Sequence, residues 1–303
     1  MNQLSFTFRA MNTQVELLLE PYEQQAFEKE ELCTYIQLLF QQVEHICSRF
    51  LPESELSILN RTTERDMPLS PLLFEVLINA YNAWKYTDGM FNPCLLPQLE
   101  AAGYDKSMEN ITDSEDKLPM HPFFAYAKLP FEIDTNRKTV RLSQGMKIDL
   151  GGIAKGWTVD HAADYLKQFG AGFINAGGDL RVFGDRDEFW HIGVENPFDP
   201  NKDLGTLAIR NGAVATSSTW KRRWKRGGNW MTHLIDPRTG RPTQSEIVSA
   251  TVTAPTAKEA DVWAKTVLLL GVEQGTKFVQ ERQAQAVLVD QNQQVRSVPS
   301  GFA

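Results

Sequence analysis

The stretch from Ile148 to Gly184, IDLGGIAKGWTVDHAADYLKQFGAGFINAGGDLRVFG, limits this chain more than any other. One carboxylate, Asp149, is followed by Gly151 and Gly152 and then by Lys155 and Gly156, so main-chain amides and one cation can crowd around an anion such as phosphate. Past Gly156, Val159, Ala162, Ala163 and Leu166 recur with a helical period, and Gly170 stops the helix. A short strand, Gly172 to Asn175, leads to a second pair, Gly177 and Gly178, before Asp179. The amides near Ile153 to Gly156 would lie at a helix start, whose positive end favours a negative ligand. Neither pair belongs to a GxGxxG, and no GxxxxGK precedes Ser or Thr, which excludes two common nucleotide loops as written. Tight turns are the plain alternative for both pairs.

Further short strings stand in a fixed order on either side: FRAMNT, FLPESELSILN, DGMFNP, VATSSTW, THLIDPRTGRP and SATVTAPTAKEADVWAKTVLLLG. Together with DLGGIAKGWTVD and NAGGDL they resemble the ApbE-like family of FAD:protein FMN transferases, in the family's order from Met11 to Gly271. Asn12 stands where that family has Gly, and Asn92 where it has Asp.

Composition agrees without choosing. With 303 residues, 42% hydrophobic and 23% charged, the chain can bury a large core as one domain or two coupled lobes. A net charge of -7 argues against general nucleic-acid binding. Lys221, Arg222, Arg223, Lys225 and Arg226 with Trp220, Trp224 and Trp230 form a basic aromatic cluster, which reads as a solvated hairpin that could meet an acidic partner. Cys33, Cys47 and Cys94 are far apart and form no CxxC, so buried free thiols in a reducing compartment are expected. The start has no basic segment followed by an apolar run, and Val267 to Val272 is too short to span a bilayer; a cytoplasmic protein with no membrane span is the reading.

Along the chain, MNQLSFTFRAMNTQVELLL reads as one strand, Glu23 to Ser48 as an amphipathic helix buried through Phe27, Tyr35, Leu38, Leu39, Val43 and Ile46, and LPESELSILN as a loop with a short turn. Ser70 and Pro71 start a helix that runs to Asp88. Residues 103 to 130 read as a loop or insertion, and Phe131 to Ser143 as a hairpin about Asn136. FWHIGVENP and GTLAIRNGAVATSS read as antiparallel strands, the latter folded at Asn211 and Gly212. Hairpins with intervening helices point to α+β; the resemblance implies a two-lobed, mixed and largely antiparallel ApbE-like (T-fold-like) architecture, with 1–303 as a single domain of two coupled lobes.

The resemblance also implies a site. FAD is the substrate, with Met11, Phe50, Met90, Phe91, Asn92, Asp149, Lys155 and Ile235 as its contacts. Phe50 would stack on the isoalloxazine; on residue type alone it reads as a core aromatic. His233, beside a loop rich in Asp, Pro, Thr and Gly, would be the catalytic base with Lys155 beside the phosphates, since an imidazole can accept a proton near neutral pH. The acceptor would be a flavoprotein carrying a Thr or Ser that takes FMN, releasing AMP; FAD storage without transfer and FAD hydrolysis to FMN and AMP are the alternatives. Family members hold Mg2+ with an Asp, a Thr four residues on and a main-chain carbonyl, which correspond to Asp261, Lys265 and Gly152. Lys265 in place of that Thr leaves three accounts: magnesium with fewer ligands, an ammonium replacing the metal, or an ordinary helix pair worth about 0.3–0.5 kcal/mol.

Overall fold

The computed structural model describes residues 3–23, 27–116, 129 and 131–300. Among these, the α-helices are α1 (Lys29–Cys47), α2 (Glu55–Arg61), α3 (Pro71–Tyr86), α4 (Leu96–Ala101), α5 (Ala154–Leu166) and α6 (Ala257–Glu281). The chain divides into two compact units, one of Met1–Glu44, Ala154–Ser218 and Glu246–Ala303, the other of His45–Ile153 and Thr219–Ser245. Helices and antiparallel sheets occur in both, as an α+β class requires.

The first unit is built on an eight-stranded sheet whose spatial order follows the sequence: Leu4–Ala10, Thr13–Pro21, Gly170–Ala176, Asp179–Phe183, Gly212–Ser218, Ile247–Ala254, Ala286–Asp290, Val295–Val298. Every neighbouring pair is antiparallel. Helices α5 and α6 pack on this sheet. Residues alternating along the strands also meet the hairpin Trp190–Asn196/Asp199–Ile209, where Leu180, Val182, Val214 and Val287 pack with Trp190, Val194, Leu207 and Ile209.

Three expectations are corrected here. The amino-terminal run is two strands, turned by Met11 and Asn12 at φ 50° and 57°, a left-handed pair that suits a two-residue hairpin. Asn211 and Gly212 do not close a hairpin: the strand before them pairs with Trp190–Asn196, and the strand from Gly212 joins Asp179–Phe183 and Ile247–Ala254, so the dipeptide hands the chain from one sheet to another. The buried stripe of α1 is Leu32, Ile36, Phe40, Val43 and Cys47, while Tyr35 and Leu38 are exposed. Adjacent apolar residues at Leu38, Leu39 and Phe40 hide the helical period in the sequence.

Gly177 and Gly178 take φ of 63° and 99° and form the two-residue turn between paired Ala176 and Asp179. The turn reading holds for that pair. Lys155 and Gly156 lie inside α5, not ahead of it. A Cβ on Gly156 would stand 2.6 Å from Lys258 Cα and 2.8 Å from Ala257 C, so its hydrogen lets the start of α6 approach α5. From the next turn of α5, the buried Asp160 accepts from Ala257 N at 2.7 Å and Lys258 N at 3.1 Å, capping α6 from outside its own chain segment. Thr256 is the local cap. Inside α6 the backbone breaks at Gly271 (φ 80°, ψ -179°), and Val272 N donates to Glu246 Oε1 at 3.0 Å where the helix restarts.

In the second unit LPESELSILN is more ordered than a loop. Ser54 caps α2 by accepting from Ser57 N at 3.0 Å, and Leu56 and Leu59 are buried. Ser70 caps α3 with Pro71 in its first turn, as its sequence suggests. Phe131–Asp134 pairs with Thr139–Leu142 as the expected hairpin, and Met67–Pro68 adds a third strand. Part of the loop expected over 103–130 falls outside the described residues, at 117–128 and 130; α4 precedes the loop, and its described part contains a 3-10 turn, Met108–Asn110.

Candidate active site

Residues of the second unit converge on the turn at Asp149. Asn60, at the end of α2, donates Nδ2 to Ile148 O at 2.9 Å and accepts from Ile148 N at 2.7 Å, replacing a strand partner for that segment. Asp149 N donates to Pro93 O at 2.8 Å, which ties the turn to DGMFNP. Its carboxylate accepts from Gly151 N at 2.5 Å and from Arg49 Nε at 2.7 Å. Arg49, with a side chain 7% exposed, also donates to Tyr104 O at 2.8 Å and lies 4.0 Å from the Phe50 ring centroid and 4.7 Å from that of Tyr104. Tyr104 meets His233 edge to face, centroids 6.3 Å apart. A contiguous series therefore runs from Asp149 through Arg49 and Tyr104 to His233.

Phe50 is 37% exposed, so it is not the core aromatic its residue type suggests. Met90 and Phe91 are buried, and Phe91 N donates to the buried Thr87 Oγ1 at 3.0 Å. Asn92 Oδ1 accepts from Cys94 N at 2.9 Å, a bond an Asp would make equally. The Ile235 side chain belongs to an apolar cluster with Leu95, Leu99, Trp224 and Met231. Arg49 and Tyr104 were not singled out by sequence. Arg49 adjoins Phe50 in a motif block, but nothing local marks Tyr104.

In the first unit four charged side chains gather. Lys155 donates to Asp179 Oδ2, and Lys265 to Asp261 Oδ1, at short range. The acids are deeply buried, with side chains 4% and 5% exposed, against 15% and 19% for the lysines. Burial pushes the Asp179 carboxyl above its ordinary range, the Asp261 charge adds to this, and Lys155 and Lys265 oppose it. Met11, in its hairpin turn, donates its N–H to Glu44 Oε2 at 2.9 Å, with Thr158 Oγ1 3.8 Å from its sulfur.

Magnesium is a poor fit to these residues. It takes six oxygens in near-octahedral array, of which water and a ligand's phosphates usually supply all but one or two, so what it asks of the protein is a carboxylate oxygen open to it. Asp261 Oδ1 carries an ammonium; Oδ2, buried and without a hydrogen-bond partner among the described residues, is the oxygen left. The Thr266 hydroxyl donates to Val262 O at 2.8 Å, and Thr266 is fully buried. Among the described residues no three His, Cys, Asp or Glu side chains gather to hold a metal.

The hairpin Arg223–Arg226/Asn229–Thr232 realises the basic aromatic cluster, but not as a wholly solvated element. Trp224 is buried and donates to Ala102 O at 2.9 Å, while Trp220 and Trp230 are exposed and flank the Arg223 guanidinium at 3.8 and 4.4 Å. Among the described residues no helix is long and apolar enough to cross a membrane.

Known proteins resemble the chain in sequence and in fold. An FAD:protein FMN transferase of Klebsiella pneumoniae is 29% identical over 274 residues, covering 88% of this chain and 84% of its own. One from Haemophilus influenzae is 27% identical over 84% of this chain and 77% of its own. The ApbE protein of Thermotoga maritima superposes with a TM-score of 0.85 at 23% identity, covering 97% of this chain and 96% of that one. The flavin transferase ApbE of Vibrio cholerae gives 0.78 at 24%, over 98% and 96%. The model of the ApbE family matches residues 11–289, and the chain belongs to that family.

Proposed function

We propose that this chain is a transferase that moves FMN from FAD to a Thr or Ser hydroxyl of an acceptor flavoprotein, with release of AMP. The observation that supports this reading is the contact series Asp149–Arg49–Tyr104–His233, which links an imidazole to an exposed aromatic, Phe50, within one unit. Phe50 offers exposed surface for a flavin ring; Met90, Phe91 and Asn92 lie in one turn of the same unit, the first two buried and Asn92 holding the turn. Ile235, its side chain committed to the core, would meet the nucleotide through its main chain.

In the reaction, the acceptor oxygen attacks the FMN-side phosphorus and its proton passes to His233. The bond to the bridging oxygen breaks, and AMP leaves with that oxygen. Phosphoryl transfer asks a protein for positioning and for positive charge near the phosphate oxygens, and Lys155, anchored on Asp179, supplies such a charge. Asp149 orders the Gly151 amide, and Gly152 follows in the same turn. Asp261, already paired with Lys265, does not suit magnesium, so the positive charge of the reaction comes from the lysines. A cytoplasmic setting is part of the reading and rests on the three free thiols.

Incubation with FAD and a flavoprotein acceptor domain tests it. Mass spectrometry should find FMN on a Thr or Ser of the acceptor and an equal amount of AMP. AMP without modified acceptor would make the activity hydrolysis, bound FAD with no turnover would make it storage, and no FAD binding would end the reading.

A further inference from the structure

Within the first unit Asp179 pairs with Lys155 and feels the charges of Asp261 and Lys265, which pair with each other. Their formal charges cancel, two carboxylates against two ammoniums. The arrangement is layered: the acids are the buried members and the lysines the more exposed ones. A divalent ion added here would bring two positive charges beside two ammoniums already seated on the carboxylates. With Oδ1 already holding the Lys265 ammonium, Asp261 could offer it only Oδ2, which is buried. An ammonium carries three donors, enough to hold a carboxylate and meet a phosphate oxygen together.

Helix α6 is placed to present this charge. Gly156 admits its first turn against α5, and Asp160 ties down the amides of Ala257 and Lys258, one turn before Asp261. Lys265 follows one turn later on the same face. Its ammonium is thus fixed by two helices and by a buried counter-ion.

We propose that Lys265 takes the place of a divalent cation: its ammonium on Asp261 and that of Lys155 on Asp179 together neutralise a diphosphate ligand, so that binding needs no metal. The inference rests on FAD being the ligand, as argued above. Asp261 and Asp179 are then positioning residues, which hold the lysines charged and aimed.

The test is FAD titration of the full chain, followed by flavin fluorescence, in EDTA and in excess Mg2+, with Mn2+ binding followed by electron paramagnetic resonance. The FAD dissociation constant should agree within about twofold between the two conditions, and no stoichiometric Mn2+ should be retained with or without FAD. Lys265→Thr should weaken FAD binding in EDTA by at least about tenfold and recover part of it with Mn2+, which it should now retain. Lys265→Arg keeps the charge and should remain insensitive to EDTA, which separates loss of the cation from loss of folding. Wild-type FAD binding that needs metal, or stoichiometric Mn2+ on the wild-type chain, overturns this inference and leaves the transferase reading standing. Absence of FAD binding in both conditions overturns the transferase reading and the inference with it.

Discussion

Arg49 donates through Nε to Asp149 Oδ2 at 2.7 Å, joining positions one hundred residues apart in the chain. The Arg49 side chain is 7% exposed and that of Asp149 17%, so neither charge is well solvated without the other. Removing one partner of such a pair costs more than the pair contributes, because the survivor keeps its desolvation.

Arg49→Met should therefore lower stability by about 3 kcal/mol in urea unfolding. It should also weaken FAD binding, since the Asp149 turn and Phe50 lose a shared support. Unchanged stability and FAD affinity would mean that the pair is incidental.

His233→Gln separates binding from chemistry. FAD affinity should stay within a few-fold, while transfer to an acceptor falls by about 10²–10⁴, the usual share of a general base. Equal losses in both would assign His233 to binding.

The Asp179 carboxyl should titrate above ordinary Asp in carbon-detected NMR of the folded chain, because it is buried and faces Asp261. Its folded value is raised above the unfolded one, so its contribution to stability is complete below the unfolded value and is lost as pH rises through the folded one. Asp261→Asn removes the like charge and should lower the Asp179 value; Lys155→Met removes a compensating charge and should raise it. Shifts in the same direction for both variants would disprove this electrostatic account.

Gly156→Ala sets two effects against each other. A Gly to Ala change in a helix interior gains up to about 1 kcal/mol from propensity, and less in the first turn, where Gly156 lies. The new Cβ would meet the backbone of Ala257 and Lys258 at under 3 Å, and backbone yields little. Overpacking of this kind costs about 1–3 kcal/mol, so a net loss in thermal unfolding is expected. A gain would show that α5 and α6 can separate freely.

Thiol reagents should modify Cys33 first in the native protein. Burial pushes the Cys47 thiol up to about 12 and the Cys94 thiol also well up, and both side chains are buried, whereas Cys33 is half-buried. Early labelling of Cys94 by peptide mapping would contradict this.

Local chemistry made part of this molecule legible. Ser70 with Pro71, the hairpin about Asn136 and the turn at Gly177 and Gly178 are each decided within a few residues. The Asn211–Gly212 dipeptide misled because a hairpin also needs its flanking strands to choose each other, and here each had another partner. Gly156 looked like part of a phosphate loop, because glycine that admits a ligand and glycine that admits a helix are the same letter. Arg49 and Tyr104 were missed for a related reason: their importance lies in contacts that form only when distant segments meet. The family resemblance singles out Phe50, His233, Asp261 and Lys265 in the sequence, but the layering of acids beneath lysines arises only when α5, α6 and the sheet pack together.

The interruption at Gly271 makes α6 two rods in series, the later one restarted on the Glu246 carboxylate. Fraying or proteolytic damage that begins beyond Val272 meets a joint there instead of unwinding back along the first rod. The half that bears Asp261 and Lys265 is mechanically insulated from its own continuation.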